Sequence, residues 1–241
     1  MQKKLFITIF IILIAVVSIF IDVYYNSTEK PVKTLTNQIE DNKGMLTAKE
    51  AWALAYKDVQ SVMNDPLLDN IQSTDDTEET PKVKEGLNGR RAAWNLSFGN
   101  AEGTMRVCCK VRDGKNSIDF VKENKDGLFL KGEYRISDLK IDSADAVKKA
   151  IKVKHIKPGN PNVEDDWIKG YHITIYGALT DPDSYDTTMV IRVTGISPDS
   201  PNKDGDSLLA HVFLDPKTGE ILSASKQTGY DADGRTTWEA F

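Results

Sequence analysis

Two helix starts of nearly the same spelling stand 95 residues apart, and they restrict what this chain can fold into more than any other feature. Leu46-Thr47-Ala48-Lys49-Glu50-Ala51-Trp52 returns in outline as Ile141-Asp142-Ser143-Ala144-Asp145-Ala146-Val147. In the first, Thr47 and Glu50 form a capping box, hydroxyl and carboxylate each satisfying a free amide. Ala48, Ala51, Trp52, Ala55, Val59, Val62 and Met63 then recur at helical spacing, which predicts a buried stripe ending at Asn64-Asp65-Pro66. In the second, Ile141 staples a helix capped by Asp142 or Ser143. Ala146, Val147, Ala150, Ile151 and Lys154 share one side of it, and Pro158-Gly159-Asn160-Pro161 stops it. Further on, Val107 to Asn124 aligns without gaps on Ala210 to Gln227, at an offset of 103. The pattern predicts one unit used twice, with extra loop length in the second copy.

Strand signals follow each helix. In the first copy they run over Arg91 to Phe98, Thr104 to Arg112 and Ser117 to Glu123, with Asp113-Gly114 as a tight hairpin. In the second they run over Tyr171 to Tyr176, Met189 to Thr194, Leu209 to Leu214 and Glu220 to Lys226. Alternating apolar and polar residues mark an antiparallel sheet covered on one side, and the preceding helix is the natural cover. Asn64 to Gly89 reads instead as a long acidic insertion. The expected fold is therefore α+β: two tandem units, each a helix packed on an antiparallel β-sheet, behind an N-terminal transmembrane helix. Its divisions are a cytoplasmic tip and signal anchor (1–22), a tether (23–44), a first unit (45–136), a second unit (137–228) and a C-terminal tail (229–241). Trp238 and Phe241 in the tail are expected to dock on a neighbouring surface.

The anchor rests on the uncharged stretch Leu5 to Ile21, long enough to reach the lower end of what crosses a bilayer. Lys3 and Lys4 precede it and Asp22 follows it, so the N-terminus is expected in the cytoplasm and the bulk outside the cell membrane. Cleavage is the rival reading. The exit through Asp22-Val23-Tyr24-Tyr25 offers no Ala-x-Ala site, and no nearby cysteine supports a lipid anchor. The formal charge of −5 becomes −7 once Lys3 and Lys4 are set aside, which argues against nucleic acid as a partner.

Chemistry-bearing residues are sparse. His155, His172 and His211 have no zinc-ligand spacing, although the latter two fall on strands that could bring them together. Cys108 and Cys109 are neighbours in a strand, so Cys109 is expected in the core beside Val107 and Val111, and Cys108 as an exposed thiol. Asp75, Asp76, Glu78 and Glu79 lack an ordered calcium-ligand spacing. Asn202 to Asp206 begins like a calcium loop but has His211 where the closing glutamate belongs, and Asp231 to Gly234 is a turn. No catalytic, cofactor-binding or metal-ligating residue is predicted.

The order of apolar residue, cap, acid and alanine at a helix start, then antiparallel strands and an Asp-x-x-x-Gly-Glu hairpin, resembles the PepSY domain. Ile141, Asp142, Asp145, Ala146, Val212, Asp215, Gly219, Glu220 and Ile221 carry the likeness in the second copy. Leu46, Thr47, Glu50 and Ala51 carry it in the first, whose hairpin departs by having Arg112 and Asn116. The resemblance spans Met45 to Thr228 and implies an exported, non-catalytic module. Its expected partner is an envelope protein, a peptidase or wall hydrolase that it binds or restrains. The alternative is an extracytoplasmic sensor of a cation or wall fragment, and an enzyme without a recognisable motif stands behind both. The loop-expanded second copy is the expected binder.

Overall fold

The computed structural model describes residues 44–75, 86–124, 134–160, 168–179, 187–200 and 207–241. The predicted signal anchor, and the tether up to residue 43, lie outside the described residues. Among the described residues no helix is long and apolar enough to cross a membrane. Residues Asn42–Phe241 form one compact unit.

Both predicted helices form, each of 12 residues: α1 (Ala48–Val59) and α2 (Ser143–Lys154). The capping box of α1 is closed, with the Glu50 amide donating to Thr47 Oγ1 over 3.3 Å and the Thr47 amide to Glu50 Oε2 over 2.9 Å. Asp142 caps α2 by accepting from the Ser143 amide over 2.7 Å. The start of α2 also caps the start of α1. Ser143 Oγ accepts from the Ala48 amide over 2.9 Å, and Asp142 Oδ1 from the Lys49 amide over 3.1 Å. Two positive helix ends thus meet over one carboxylate, which offsets the repulsion that aligned amide dipoles would otherwise produce there.

The nine strands are β1 (Leu67–Ser73), β2 (Ala93–Gly99), β3 (Met105–Arg112), β4 (Lys115–Glu123), β5 (His172–Leu179), β6 (Thr187–Ile196), β7 (Leu209–Leu214), β8 (Ile221–Tyr230) and β9 (Thr236–Ala240). They join one antiparallel sheet in the order β4-β3-β2-β1-β5-β6-β7-β8-β9. The tandem sheets expected from the sequence are therefore a single sheet, fused where β1 meets β5. That seam is three residue pairs long, Asn70 with Tyr176, Ile71 with Ile175 and Gln72 with Thr174. From it a four-stranded meander, β1 to β4, runs outward on one side and a five-stranded one, β5 to β9, on the other, so the order is mirrored over four strands with β9 added at the far edge.

Both helices pack on the same face, α1 across β1 to β4 and α2 across β6 and β7. One hydrophobic core serves both halves, with Trp52, Ile71, Trp94, Phe98 and Val107 from the first and Val147, Ile175, Ile191, Val212 and Leu214 from the second.

The structure corrects several local expectations. Asn64 to Gly89 is no uninterrupted loop, because Leu67–Ser73 is the strand of the first half that meets the second at the seam. A bulge between Leu68 and Asn70 breaks the apolar alternation that would have revealed it. Val62 lies beyond the end of α1 and is 40% exposed, and Ile151 is 37% exposed on the flank of α2. Cys109 is in the core, but Cys108 is buried too, because Ser97 and Phe120 stand on either side of it in the ladder. The gapless hairpin alignment does not survive the turns. β3 and β4 are joined by Asp113-Gly114 alone, with both φ values positive, whereas β7 and β8 are joined by Asp215 to Glu220. The predicted tail is partly strand, since β8 runs on to Tyr230 and β9 closes the sheet edge.

Candidate functional site

Two groups of polar side chains stand out, one at the end of the seam and one on the sheet face that no helix covers. At the seam, Arg91 is fully buried just ahead of β2, where an isolated bridge pairs it with Leu46. Its guanidinium binds the Asp75 carboxylate at the end of β1 and donates to the Lys169 carbonyl over 2.6 Å. Asp75 Oδ2 lies 2.8 Å from His172 Nε2 at the start of β5 and accepts from the Lys169 amide over 3.3 Å. Burial works against ionisation of Asp75, but the His172 hydrogen bond, the Arg91 charge and the Lys169 amide outweigh it and hold its pKa at about 2. Burial, and then the neighbouring Arg91, push His172 below its ordinary value despite Asp75. His172 is thus neutral at physiological pH, with Nε2 facing Asp75 Oδ2 and Nδ1 lying 3.2 Å from the Ser73 carbonyl oxygen and 3.4 Å from Ser73 Oγ.

A serine, a histidine and an aspartate in line invite comparison with a hydrolytic triad, and the geometry argues against it. Ser73 is fully buried, and its Oγ already accepts from the Ile173 amide over 2.8 Å. A nucleophile needs an open approach to the attacked carbon, and this hydroxyl has none. The group is a clasp that ties Asp75 and Arg91 of the first half to Lys169 and His172 of the second.

The second group lies opposite the helices. There β5 contributes Thr174 and Tyr176, β6 contributes Arg192 and Thr194, β7 contributes Leu209, His211 and Phe213, β8 contributes Ser225 and Gln227, and β9 contributes Trp238. His211 stacks on Trp238 with centroids 4.7 Å apart and meets the Phe213 ring edge-on at 6.3 Å. Its Nδ1 is 2.9 Å from Thr194 Oγ1. Burial and then the Arg192 charge push its pKa down to about 3, so it is a neutral ring at physiological pH. Arg192 donates to Thr174 Oγ1 over 3.2 Å and lies over the Tyr176 ring, 5.8 Å from its centroid. Burial raises the Tyr176 pKa, against the opposing charge of Arg192. On this face Asn70 Oδ1, Tyr176 Oη and Ser225 Oγ are buried with no hydrogen-bond partner among the described residues.

The structure disposes of the sequence candidates as follows. His172 and His211 share the helix-free face, with Thr194 of β6 between them in the ladder. His155 is the left-handed C-cap of α2. Asp75 belongs to the clasp, while Asp76, Glu78, Glu79 and Asn202 to Asp206 lie outside the described residues. Asp231 makes a turn by accepting from the Asp233 and Arg235 amides over 2.9 and 2.8 Å. Among the described residues no cluster of three or more His, Cys, Asp or Glu is placed to hold a metal ion. Trp238 docks on His211, and Phe241 packs at the edge of the core. Sequence reasoning missed Tyr176 and Arg192 as a pair. The signal was present, because both are polar-face positions of strands it had located.

No protein-family model matches the chain, and no curated protein matches it. Among solved structures it is similar to one described as a "putative lipoprotein" from Clostridium difficile 630. The TM-score is 0.45 and the identity 10%, over 73% of this chain and 92% of that one.

Proposed function

We propose that this chain is a PepSY-like, non-catalytic extracytoplasmic module that holds an envelope protein, a peptidase or wall hydrolase, against the helix-free face of its second half. The observation that carries this reading is the Tyr176, Arg192, His211, Phe213 and Trp238 cluster on a sheet face that neither helix packs against. Tyrosine, tryptophan and arginine are the side chains that dominate binding energy where proteins meet, because each pairs a large apolar surface with a polar tip. Tyr176 and Ser225 also keep unpartnered polar atoms there. A buried polar group without a partner costs roughly 1–3 kcal/mol, and an incoming donor or acceptor that reaches it recovers part of that cost. The matching helices and the mirrored strand order support an origin by duplication, with the second copy turned to binding. The sequence of residues 1–22 supports a membrane-anchored position.

A photo-crosslinking residue placed at Tyr176 in the full chain tests the assignment in native membranes. The expected product is a covalent adduct with a peptidase or wall hydrolase, lost when Arg192 is also changed to Glu. Adducts formed only from probes on the outward helix surfaces would move the interface elsewhere. Turnover of a generic peptide or glycan by the purified chain would sink the non-catalytic reading.

A further inference from the structure

The two helices do the same packing work with different outward surfaces. α2 buries Ser143, Ala146, Val147 and Ala150, and exposes Asp145, Lys148, Lys149, Ile151, Lys152 and Val153. Over its 12 residues it carries Lys148, Lys149, Lys152 and Lys154 against Asp145 alone. α1 has the same length and the same cap position, yet its Lys49 and Lys57 are balanced by Glu50 and Asp58. At the 95-residue offset, Lys148 and Lys149 stand where α1 has Ala53 and Leu54, and Val153 stands where it has Asp58. Packing on the sheet therefore does not require the lysines. Lys154 is otherwise engaged, donating to the Phe241 carbonyl with its ammonium 5.2 Å from the centre of the Phe241 ring. Lys148, Lys149 and Lys152 remain, exposed together in a chain whose formal charge is −5.

We infer that this outward face of α2 rests on an anionic lipid surface. The lysines supply attraction to the headgroups. Ile151 and Val153, 37% and 48% exposed, border the lysine stripe on its two edges and supply apolar side chains at the headgroup boundary. An acidic polypeptide would engage the lysines and leave Ile151 and Val153 without a role, so the pairing of charge with exposed aliphatic groups selects the bilayer. The inference rests on the reading of residues 1–22 as an anchor only for bringing the domain near a membrane. Three lysines at an anionic surface raise partitioning by roughly 100-fold over a neutral one.

The test uses the full chain carrying Val153→Cys, labelled with a polarity-sensitive dye. Cys108 and Cys109 are buried and escape the label. Vesicles of phosphatidylglycerol or of phosphatidylcholine, each doped with a headgroup spin label, are then added. Expected is strong quenching on phosphatidylglycerol, reversed by high salt and weakened at least tenfold in K148E/K149E/K152E. Equal quenching on both lipids, or none on phosphatidylglycerol, overturns the proposal. So does a dye response to soluble polyglutamate with none to vesicles, which assigns the face to an acidic polypeptide. Flotation of the unlabelled chain with phosphatidylcholine vesicles reads the anchor separately. Its failure removes the anchor and leaves the dye result to decide the helix face.

Discussion

Asp75 balances a guanidinium that has no exposure to water, so its loss would leave Arg91 buried with an uncompensated charge. Asp75→Asn should cost about 3 kcal/mol, within the range seen when one member of a buried pair is removed, and a urea titration followed by circular dichroism checks it. The same group sets the acid limb of stability. Its folded pKa of about 2 lies below the ordinary 3.8, so the unfolded chain binds the proton more readily. The stabilisation, roughly 2 kcal/mol, is complete above pH 4 and lost as pH falls toward 2. His172 is depressed as well, so stability should already begin to fall as pH drops below its ordinary 6.5. In Asp75→Asn the step between pH 4 and 2 should disappear, while the loss of stability below 6.5 should persist and grow, because the carboxylate that raises the His172 pKa is gone. The cysteines give a second test. Burial, and then its neighbour Cys108, raise the Cys109 thiol to about 12. A thiol reagent at mildly alkaline pH should find neither cysteine until the chain is unfolded, and both thereafter.

The helices were legible because their information is local: cap, acid and stripe lie within one stretch of chain, and the caps fell at Thr47 and Asp142 as the spacing predicts. β1 was not legible. Leu67-Leu68-Asp69-Asn70-Ile71-Gln72-Ser73 has a bulge at Asp69, whose carboxylate turns to accept from Ser97 Oγ and Arg106 Nη2, each over 2.9 Å. An acid that reads as loop in the sequence is thus the anchor of a kink. Ile71, fully buried and facing Ile175 across the seam, should be among the costliest strand positions to truncate. Ile71→Ala should destabilise by about 3–4 kcal/mol, measured by the shift in thermal midpoint together with calorimetric enthalpy. Gly89 belongs with it. Its φ is +79°, and a Cβ there would come within 2.5 Å of the Ser143 carbonyl oxygen and 2.7 Å of Ala144 Cα. Gly89→Ala should therefore part the two helix starts, losing protection of the Ala48 and Lys49 amides in hydrogen exchange before the rest of the core.

The division at residue 136 was drawn from sequence similarity, and similarity says nothing about whether two copies pair. Pairing of β1 with β5 joins residues about a hundred positions apart, and no local pattern in Asn70 or Tyr176 announces the partner. One sheet and one core predict one transition. Denaturant unfolding of the intact chain should be coincident by tryptophan fluorescence and far-ultraviolet circular dichroism, and a fragment covering 45–136 should not reach a native-like spectrum, because β1 would offer a bare edge to water. The aromatic cluster of the helix-free face was half legible in the same sense: the docking of Trp238 was expected, but its stacking on His211 depends on β9 pairing with β8, which no local pattern announces. The bridge between Leu46 and Arg91 has a mechanical consequence. Two backbone hydrogen bonds of 2.9 Å join these residues where the chain enters the fold. Tension applied from the N-terminal side would enter at Leu46 and be handed to Arg91, whose guanidinium grips Asp75 of one half and the Lys169 carbonyl of the other. Load would thus be shared across the molecule at its first point of attachment, and a pulling experiment should record a single rupture rather than the successive peeling of strands.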